Sequence, residues 1–442
     1  MSFLRVILCL AVTVTFVKCI MDFYPETDFH VWGYVMFGVL YLIVFLANTN
    51  MYHCFEVGSQ RRREFVFSYA VAVLLTNFIM FFVISLLCKY IVSPVPLLLA
   101  TLFQILVGSA ILMLSNMLFF ILRPMRKAAV VCSPDQHESQ VLEKFRHVRD
   151  NYTVEGVYPE TDDPKDLIDK ISSFDTIICG QISAQARESI VRYCFENNKR
   201  LFIVPSVQDI ILNNTQQTFV GDSVVYLCRN RIFTAEQLII KRLCDILISL
   251  FGIILTSPLM LITALLIKIQ DGGPVFFRQE RYTRNFNRFM IIKFRSMVVD
   301  AEKHGAQFTT PNDPRITPVG RFIRATRIDE LPQFFNILKG DMSLVGPRAE
   351  RIENVDYYCQ KMPEFKYRMK VKAGLTGYAQ IYGRYNTSYE DKLKLDLLYI
   401  ENASLMQDFQ LLFQTVRVLF IPSESTEGFD DSTIDEMEKK DS

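Results

Sequence analysis

The residues best suited to chemistry lie in Arg321–Gly340. This stretch holds the adjacent acids Asp329 and Glu330. Around them Arg315, Arg321, Arg324, Arg327, Arg348 and Arg351 fall within 37 residues. Two acids at a helix N-terminus commonly act only as caps and dipole partners. The arginines shift that balance. Guanidinium forks match phosphate oxygens, and carboxylates among them suit a divalent cation held against phosphate. Pro332 fits the first turn of a helix running through Phe335 and Leu338, which Gly340 can end. The two acids then precede or open that helix.

Other phrases surround this one. Met290–Met297 reads as a strand that delivers Lys293 and Arg295 to its end, although two cations on a strand are often only a solvated face. Ser343–Arg348 contains Gly346-Pro347, a tight turn able to present Arg348 inward. Lys372–Arg384 carries Gly374, Gly377 and Gly383 beside Gln380 and Arg384. Glycines so spaced allow close backbone approach to a ligand or simply make turns. Lys392–Ile400 reads as an amphipathic helix whose Asp396 can enter a structural ion pair.

The elements that position these residues follow from composition. The chain has 442 residues, 50% of them hydrophobic and 21% charged, with mean hydropathy +0.19. That excludes disorder as the main state and argues against a simple soluble enzyme. A net charge of +1 gives no global field for nucleic acid. Ten scattered cysteines without C-x-x-C and five histidines without H-E-x-x-H argue against a disulfide framework or a zinc site. A reducing compartment follows for the soluble part.

The apolar excess sits in 3–20, 31–48, 65–88 and 96–122, each near the length that crosses a bilayer as a helix. The first contains Arg5 and Lys18. A signal peptide is its rival reading, but it lacks a small-x-small cleavage site. Arg61, Arg62 and Arg63, and then Arg123, Arg126 and Lys127, place both of their loops in the cytoplasm. The 21–30 connection, with Asp22, Glu26 and Asp28, faces outward, and everything after about 123 is cytoplasmic. These spans read as poor in polar residues.

Ile246–Ile267 is a fifth uncharged run, flanked by Lys241 and Arg242 before it and by Lys268, Arg278 and Arg281 after it. Basic flanks on both sides, with Ser257 and Pro258 near its middle, predict a hairpin that enters the membrane, breaks and returns. A full span is the alternative. Between the two membrane parts, strands at Ala128–Cys132, Val154–Tyr158, Thr176–Cys179 and Leu201–Val204 alternate with helices near 138–149, 164–173 and 184–197. No G-x-G-x-x-G follows the first strand, which favours a structural or regulatory module over a ligand-binding one. The last 19 residues, from Glu424, carry eight acids and two lysines and read as a solvated tail.

Residues 238–420 resemble the bacterial sugar transferases, the polyprenyl-phosphate sugar-phosphate transferases. The matching strings are Pro274-Val275-Phe276-Phe277-Arg278-Gln279-Glu280-Arg281, Lys293-Phe294-Arg295-Ser296-Met297, Asp329-Glu330-Leu331-Pro332-Gln333, Gly340 through Arg348, and Gly374-Leu375-Thr376-Gly377-Tyr378-Ala379-Gln380, in the family's order and spacing. The whole chain looks like the long form that initiates exopolysaccharide, capsule or O-antigen repeat units. Ala349 stands where the family usually has Pro, and Tyr378 where it often has Trp.

The resemblance implies transfer of a sugar 1-phosphate from a nucleotide diphosphate sugar, such as a UDP-hexose, to undecaprenyl phosphate, with release of nucleoside monophosphate. It implies Asp329 as the nucleophile of a ping-pong reaction and Glu330 as holder of Mg²⁺. Lys293, Arg295, Arg324, Arg327, Arg348, Gln380 and Arg384 are the candidates for phosphate and substrate. The implied partners are the donor, the lipid phosphate, the bilayer and a second copy in a homodimer, with no nucleic acid. The implied location is the bacterial inner membrane, multi-pass, with the catalytic domain on the cytoplasmic side. A catalytically inactive, membrane-anchored assembly or regulatory protein is the alternative.

The expected architecture is an α-helical membrane domain of four transmembrane helices (1–126), an α/β Rossmann-like cytoplasmic module (127–232), and a mixed α/β catalytic domain with a re-entrant membrane helix (233–421). An acidic flexible tail (422–442) completes it.

Overall fold

The structure is a computed structural model. It describes residues 2–25, 30–52, 54–55, 62–122, 125–134, 152–161, 163–213, 215–228, 232–299, 301, 313–383 and 387–420. The predicted helix near 138–149 lies outside them, as do Arg384 and the acidic tail. The chain divides into two compact units, 1–204 and 205–442.

The first unit opens with four helices: α1 (Ser2–Phe23), α2 (Val31–Met51), α3 (Arg62–Cys88) and α4 (Val95–Leu122). They pack in a ring, α1 and α3 each touching both α2 and α4. Large apolar side chains such as Trp32, Leu86 and Leu106 point outward. The interior is partly polar, contrary to the reading of these spans as poor in polar groups. Asn77 Nδ2 donates to Thr101 Oγ1 and to Gln104 Oε1, both at 2.7 Å. Gln104 Nε2 donates to the Val12 carbonyl at 2.9 Å, and Asn48 Nδ2 to Thr76 Oγ1 at 3.0 Å. Apolar surface outside and polar groups paired across helices inside is the arrangement that suits lipid. Hydropathy averages missed it because α2, α3 and α4 bury only two, three and four such residues among many apolar ones.

The same unit contains β1 (Arg126–Cys132), β2 (Tyr152–Pro159), α5 (Pro164–Ile171), β3 (Thr176–Cys179), α6 (Ala184–Glu196) and β4 (Arg200–Ile203). The strands form one parallel sheet in the order β2-β1-β3-β4. Alternation along β1 sends Ala129 and Val131 to one face, against Leu167, Ile171 and Ile190, and Ala128 and Val130 to the other. Parallel α/β sheets usually bind ligands at the carboxyl ends of their strands. Here the Ser183 N–H, at the mouth of α6, already donates to the Glu160 carboxylate at 2.7 Å. That contact fills the helix terminus from within and fits the structural reading of this module.

The second unit begins with α7 (Val207–Asn213) and an antiparallel hairpin, β5 (Gln216–Val220) and β6 (Ser223–Leu227). The sequence reading grouped 205–232 with the sheet before it and saw no hairpin there. Ile210 instead belongs to the core of the second unit, and α7 packs against helix 389–401.

Next comes α8 (Ala235–Asp271), 37 residues long; the interruption expected at Ser257 and Pro258 is not found, and the helix is continuous through both. A capping box of Thr234 and Gln237 starts it, and Gly272 in the left-handed region (φ 69°) ends it. Pro258 has no N–H for the Ile254 carbonyl, and the Ser257 hydroxyl takes that carbonyl at 2.9 Å. One face of α8 is buried, through Asp245, Ser249, Met260, Thr263 and Ile267. The opposite face exposes Phe251, Ile254, Leu255, Leu261 and Ile269.

Both halves of α8 dock on the domain that follows. Arg242 donates to the Ile337 and Leu338 carbonyls at 2.6 and 2.7 Å, and Asp245 accepts from the Leu344 N–H at 3.0 Å. Further along, Met260 and Ile267 pack with Phe294 and Ile323.

That domain contains the ribbon β7 (Phe276–Tyr282) and β8 (Arg288–Phe294), then α9 (Pro318–Ala325), α10 (Gln333–Lys339), β9 (Ser343–Val345) and α11 (Ile352–Lys361). It closes with β10 (Gly374–Thr376), α12 (Tyr378–Tyr382), α13 (Tyr389–Glu401) and α14 (Leu405–Phe420). β7 and β8 are antiparallel, β9 and β10 parallel. Its core gathers Ile291, Ile337, Leu344, Val355, Phe365, Leu393, Leu397 and Ile400. The chain thus has a helical N-terminal region with several apolar helices and a C-terminal α/β region. Among the described residues five helices, α1–α4 and α8, are long and apolar enough to cross a membrane.

Candidate active site

The acid pair sits in a single tight turn, Ile328–Glu330, between α9 and α10. Arg327 enters that turn with φ 55°, a left-handed conformation that costs a branched or long side chain energy and marks a sharp reversal. Pro332 precedes α10, and Gly340 (φ 99°) caps its end. The helix is clamped to β8 by the buried Asn336. Its Nδ2 donates to the Met290 carbonyl at 2.7 Å, and its Oδ1 accepts from the Ile292 N–H at 3.0 Å. Nothing in the local sequence marked Asn336. Only the packing of α10 across β8 gives it that role.

The clamp brings Lys293 to Glu330. Lys293 Nζ donates to Glu330 Oε1 at 2.8 Å, and Arg348 donates to the same oxygen at 2.9 Å. Arg348 is 43% exposed, so its half of this cluster faces solvent and contributes little to stability. Burial and the Glu330 charge push Asp329 up to about 6. Burial also opposes ionisation of Glu330, but Lys293 and Arg348 outweigh it and hold that carboxyl well below the usual range. The two carboxylates therefore differ: Glu330 is tied down by cations, while Asp329 accepts no hydrogen bond among the described residues.

Arg348 is fixed by its backbone. Gly346 N–H donates to the Thr376 carbonyl at 2.9 Å and Gly374 N–H to the Pro347 carbonyl at 2.8 Å, so the two segments cross in contact. A Cβ on Gly374 would lie 2.1 Å from the Gly346 nitrogen, and one on Gly377 2.4 Å from the Gly346 oxygen. Of the two readings of these glycines, close approach holds, but to another strand of the same chain.

Beneath the crossing Arg368 donates to the Arg348 carbonyl at 2.9 Å and pairs with Asp396 at 2.8 Å, both side chains 1% exposed. The buried Glu350 lies beside them. Burial raises its carboxyl, yet Lys392, Arg368, Arg348 and Arg281 together bring it down to about 2.

The remaining candidates fall into different places. The Arg324 charge acts on Asp329. Arg327 shares the field of both acids. Gln380 is buried next to Gly377, and neither amide atom has a partner among the described residues. Arg295 bonds to Asp271 at the end of α8 and there braces the turn leaving that helix. Arg384 is outside the described residues. Ser257 and Pro258 lie within α8.

A polar cleft of about 300 Å³ opens between these parts, lined by Arg281, Ile291, Lys293, Glu330, Gln333, Arg348, Ala349, Gly374 and Leu375. No cluster of three or more metal-ligating side chains occurs among the described residues. The pair Asp329 and Glu330 still suits Mg²⁺, which commonly takes one or two carboxylates and completes its shell with phosphate and water.

The chain thus combines helices apolar and long enough to cross a membrane with an α/β domain whose cleft gathers Arg281, Lys293 and Arg348 around Glu330. Residues 236–422 match the model of the family described as bacterial sugar transferase. An uncharacterized sugar transferase of Bacillus subtilis is 40% identical over 184 residues, 42% of this chain and 89% of that protein. The chain belongs to the bacterial sugar transferase family. The UDP-N-acetylgalactosamine-undecaprenyl-phosphate N-acetylgalactosaminephosphotransferase of Aeromonas hydrophila is 48% identical over 183 residues, 41% of this chain and 43% of that one. The undecaprenyl-phosphate galactose phosphotransferase of Salmonella typhimurium is 37% identical over 235 residues, 49% and 48% of the two chains. The match thus spans less than half the length of these last two relatives.

Proposed function

We propose that the chain transfers a sugar 1-phosphate from a nucleotide diphosphate sugar, a UDP-hexose in the first instance, to undecaprenyl phosphate, as the first membrane step of a surface polysaccharide. The carrying observation is the division of labour within the acid pair. Lys293 and Arg348 converge on Glu330, which lines the cleft, while the adjacent Asp329 accepts no hydrogen bond among the described residues. A carboxylate free of hydrogen bonds is the better nucleophile, and the cations offset its repulsion from a phosphate diester anion. The names of the relatives support the substrate classes.

Asp329 attacks the sugar-bearing phosphorus, the bridging P–O bond breaks, and nucleoside monophosphate leaves. A phosphate oxygen of the lipid then attacks the same phosphorus and frees Asp329. Lys293 and Arg348 bind phosphoryl oxygens and orient the diphosphate, and Arg324 and Arg327 add field. Glu330 would hold Mg²⁺, which neutralises phosphate charge when bound.

The membrane reading belongs to the same proposal. α1–α4 are four spans that begin and end on the cytoplasmic side, and the parallel sheet is a Rossmann-like module. α8 dips into the inner membrane and returns. A straight helix of its length would be about 55 Å long, but both of its halves dock on one domain, which supports a return over a crossing. The site then lies at headgroup depth on the cytoplasmic face.

The test is release of nucleoside monophosphate from a panel of nucleotide sugars by detergent-solubilised protein with polyprenyl phosphate and Mg²⁺. Asp329→Asn is expected to abolish it with folding retained, and a trapped sugar-phosphate adduct to map to Asp329. An adduct elsewhere, or near-normal turnover of the variant, refutes the assignment.

A further inference from the structure

The cleft holds one cation that the chemistry above leaves unused. Arg281 lies near the end of β7, directly opposite Phe289, while Lys293 on β8 lies opposite Phe277. Residues paired across an antiparallel ribbon share a face. Arg281, Gln279 and Phe277 therefore point the same way as Phe289, Ile291 and Lys293. Four residues along a strand span about 13 Å. Long side chains leaning in from the two ends of such a trough come within reach of neighbouring phosphates.

The partners of Arg281 are all neutral. Nη2 donates to Gln279 Oε1 at 2.6 Å, and Nη1 donates to the Ala349 carbonyl at 3.2 Å. Nε is buried without a partner among the described residues. Glu350 and Glu353 attract it without a direct ion pair among the described residues, and Arg351 and Arg348 repel it. A largely buried guanidinium with no bonded carboxylate is costly unless an anion completes it. Burial, with the two arginines, lowers it to about 10 against the pull of the two glutamates, and a phosphate bonded to the guanidinium would offset that cost.

We propose that Arg281 binds the phosphate that stays with the nucleotide, so that Lys293 and Arg348 hold the transferred phosphoryl group and Arg281 the departing one. This rests on the transfer reading given above. Asp329 carries one negative charge and the donor diphosphate two. As the Asp329–phosphorus bond forms, the electron pair of the breaking P–O bond goes to the bridging oxygen. The monophosphate leaves with two negative charges, and the phosphosugar aspartate keeps one. Arg281 remains protonated and faces the oxygen on which charge grows. The lipid phosphate attacks only after the monophosphate has gone, so Arg281 has no part in the second half-reaction.

Ping-pong kinetics separate the halves, because kcat/KM for each substrate reports its own half-reaction. Arg281→Gln is expected to lower kcat/KM for the nucleotide sugar about 10- to 100-fold. It should weaken product inhibition by the nucleoside monophosphate by a similar factor and leave kcat/KM for polyprenyl phosphate unchanged. Arg281→Lys should recover part of the loss, since it restores charge without the fork. Calorimetric binding of the monophosphate to wild type and both variants gives a readout that needs no turnover. An equal fall in both kcat/KM values, or donor kinetics and monophosphate affinity unmoved by Arg281→Gln, overturns the assignment. Failure of the transfer reading looks different: the wild-type protein then releases no monophosphate from any donor.

Discussion

The crossing of the Gly346 and Gly374 segments gives a prediction whose size follows from the structure. In Gly374→Ala the new methyl would lie 2.1 Å from the Gly346 nitrogen and 2.6 Å from its Cα and its carbonyl oxygen. All three are backbone atoms, so no rotamer relieves the overlap, and the segments must part by about 1 Å to reach ordinary contact. That stretches the Gly346 N–H to Thr376 and Gly374 N–H to Pro347 hydrogen bonds, now 2.9 and 2.8 Å, beyond useful length. Two buried backbone groups left unsatisfied cost about 1–3 kcal/mol each, so the variant should lose about 3–5 kcal/mol. For a unit of some 200 residues this lowers the melting midpoint by roughly 10 °C.

The readout is scanning calorimetry in detergent, because the single tryptophan, Trp32, reports only the first unit. Arg348 follows Pro347, so kcat/KM for the donor should fall more than about tenfold as well. If Gly374→Ala and Gly346→Ala both melt within a degree of wild type with unchanged donor kinetics, the crossing does not position Arg348.

The other expected outcomes concern charge and topology. Glu350, held at about 2 by its surrounding cations, is depressed relative to an ordinary glutamate. Its stabilisation is present above about pH 4.3 and is lost as pH falls from there toward 2. Glu350→Gln should therefore be less stable at neutral pH and show a flatter loss of melting temperature between pH 5 and 3, measured by the same calorimetry. For α8, a cysteine replacing the exposed Gln270 in a cysteine-free background should react with an impermeant thiol reagent from the same side of the membrane as one replacing Asp222. Reaction from the opposite side establishes a full span.

Local features of the site were legible in the chain. Pro332 and Gly340 bracket α10 because their backbone preferences act within a turn, and the acid pair precedes that helix for the same reason. The strands at 126–132, 176–179 and 200–203 were legible from apolar runs between turn residues. The hairpin at 216–227 was not. Its apolar residues, including Phe219, Val224 and Tyr226, are exposed in the monomer, so they carry no alternation toward a core. The polar interior of α1–α4 was hidden by averaging over residues that face lipid.

The sequence by itself determined which groups are present: two adjacent acids, a surplus of arginine around them, apolar stretches in front, and Pro258 within a long apolar run. Those are matters of covalent identity and short-range preference. The tertiary structure decided which of the cations meet the acids. Lys293 lies in β8 and Arg295 just past its end, yet Arg295 turns to Asp271 and Lys293 to Glu330. The end of β8 after Phe294, the Asn336 clamp and the glycine crossing select Lys293 and Arg348 and bring Arg281 into the same cleft. No local signal carries that choice, because it depends on how segments 18 to 46 residues apart come to lie against one another.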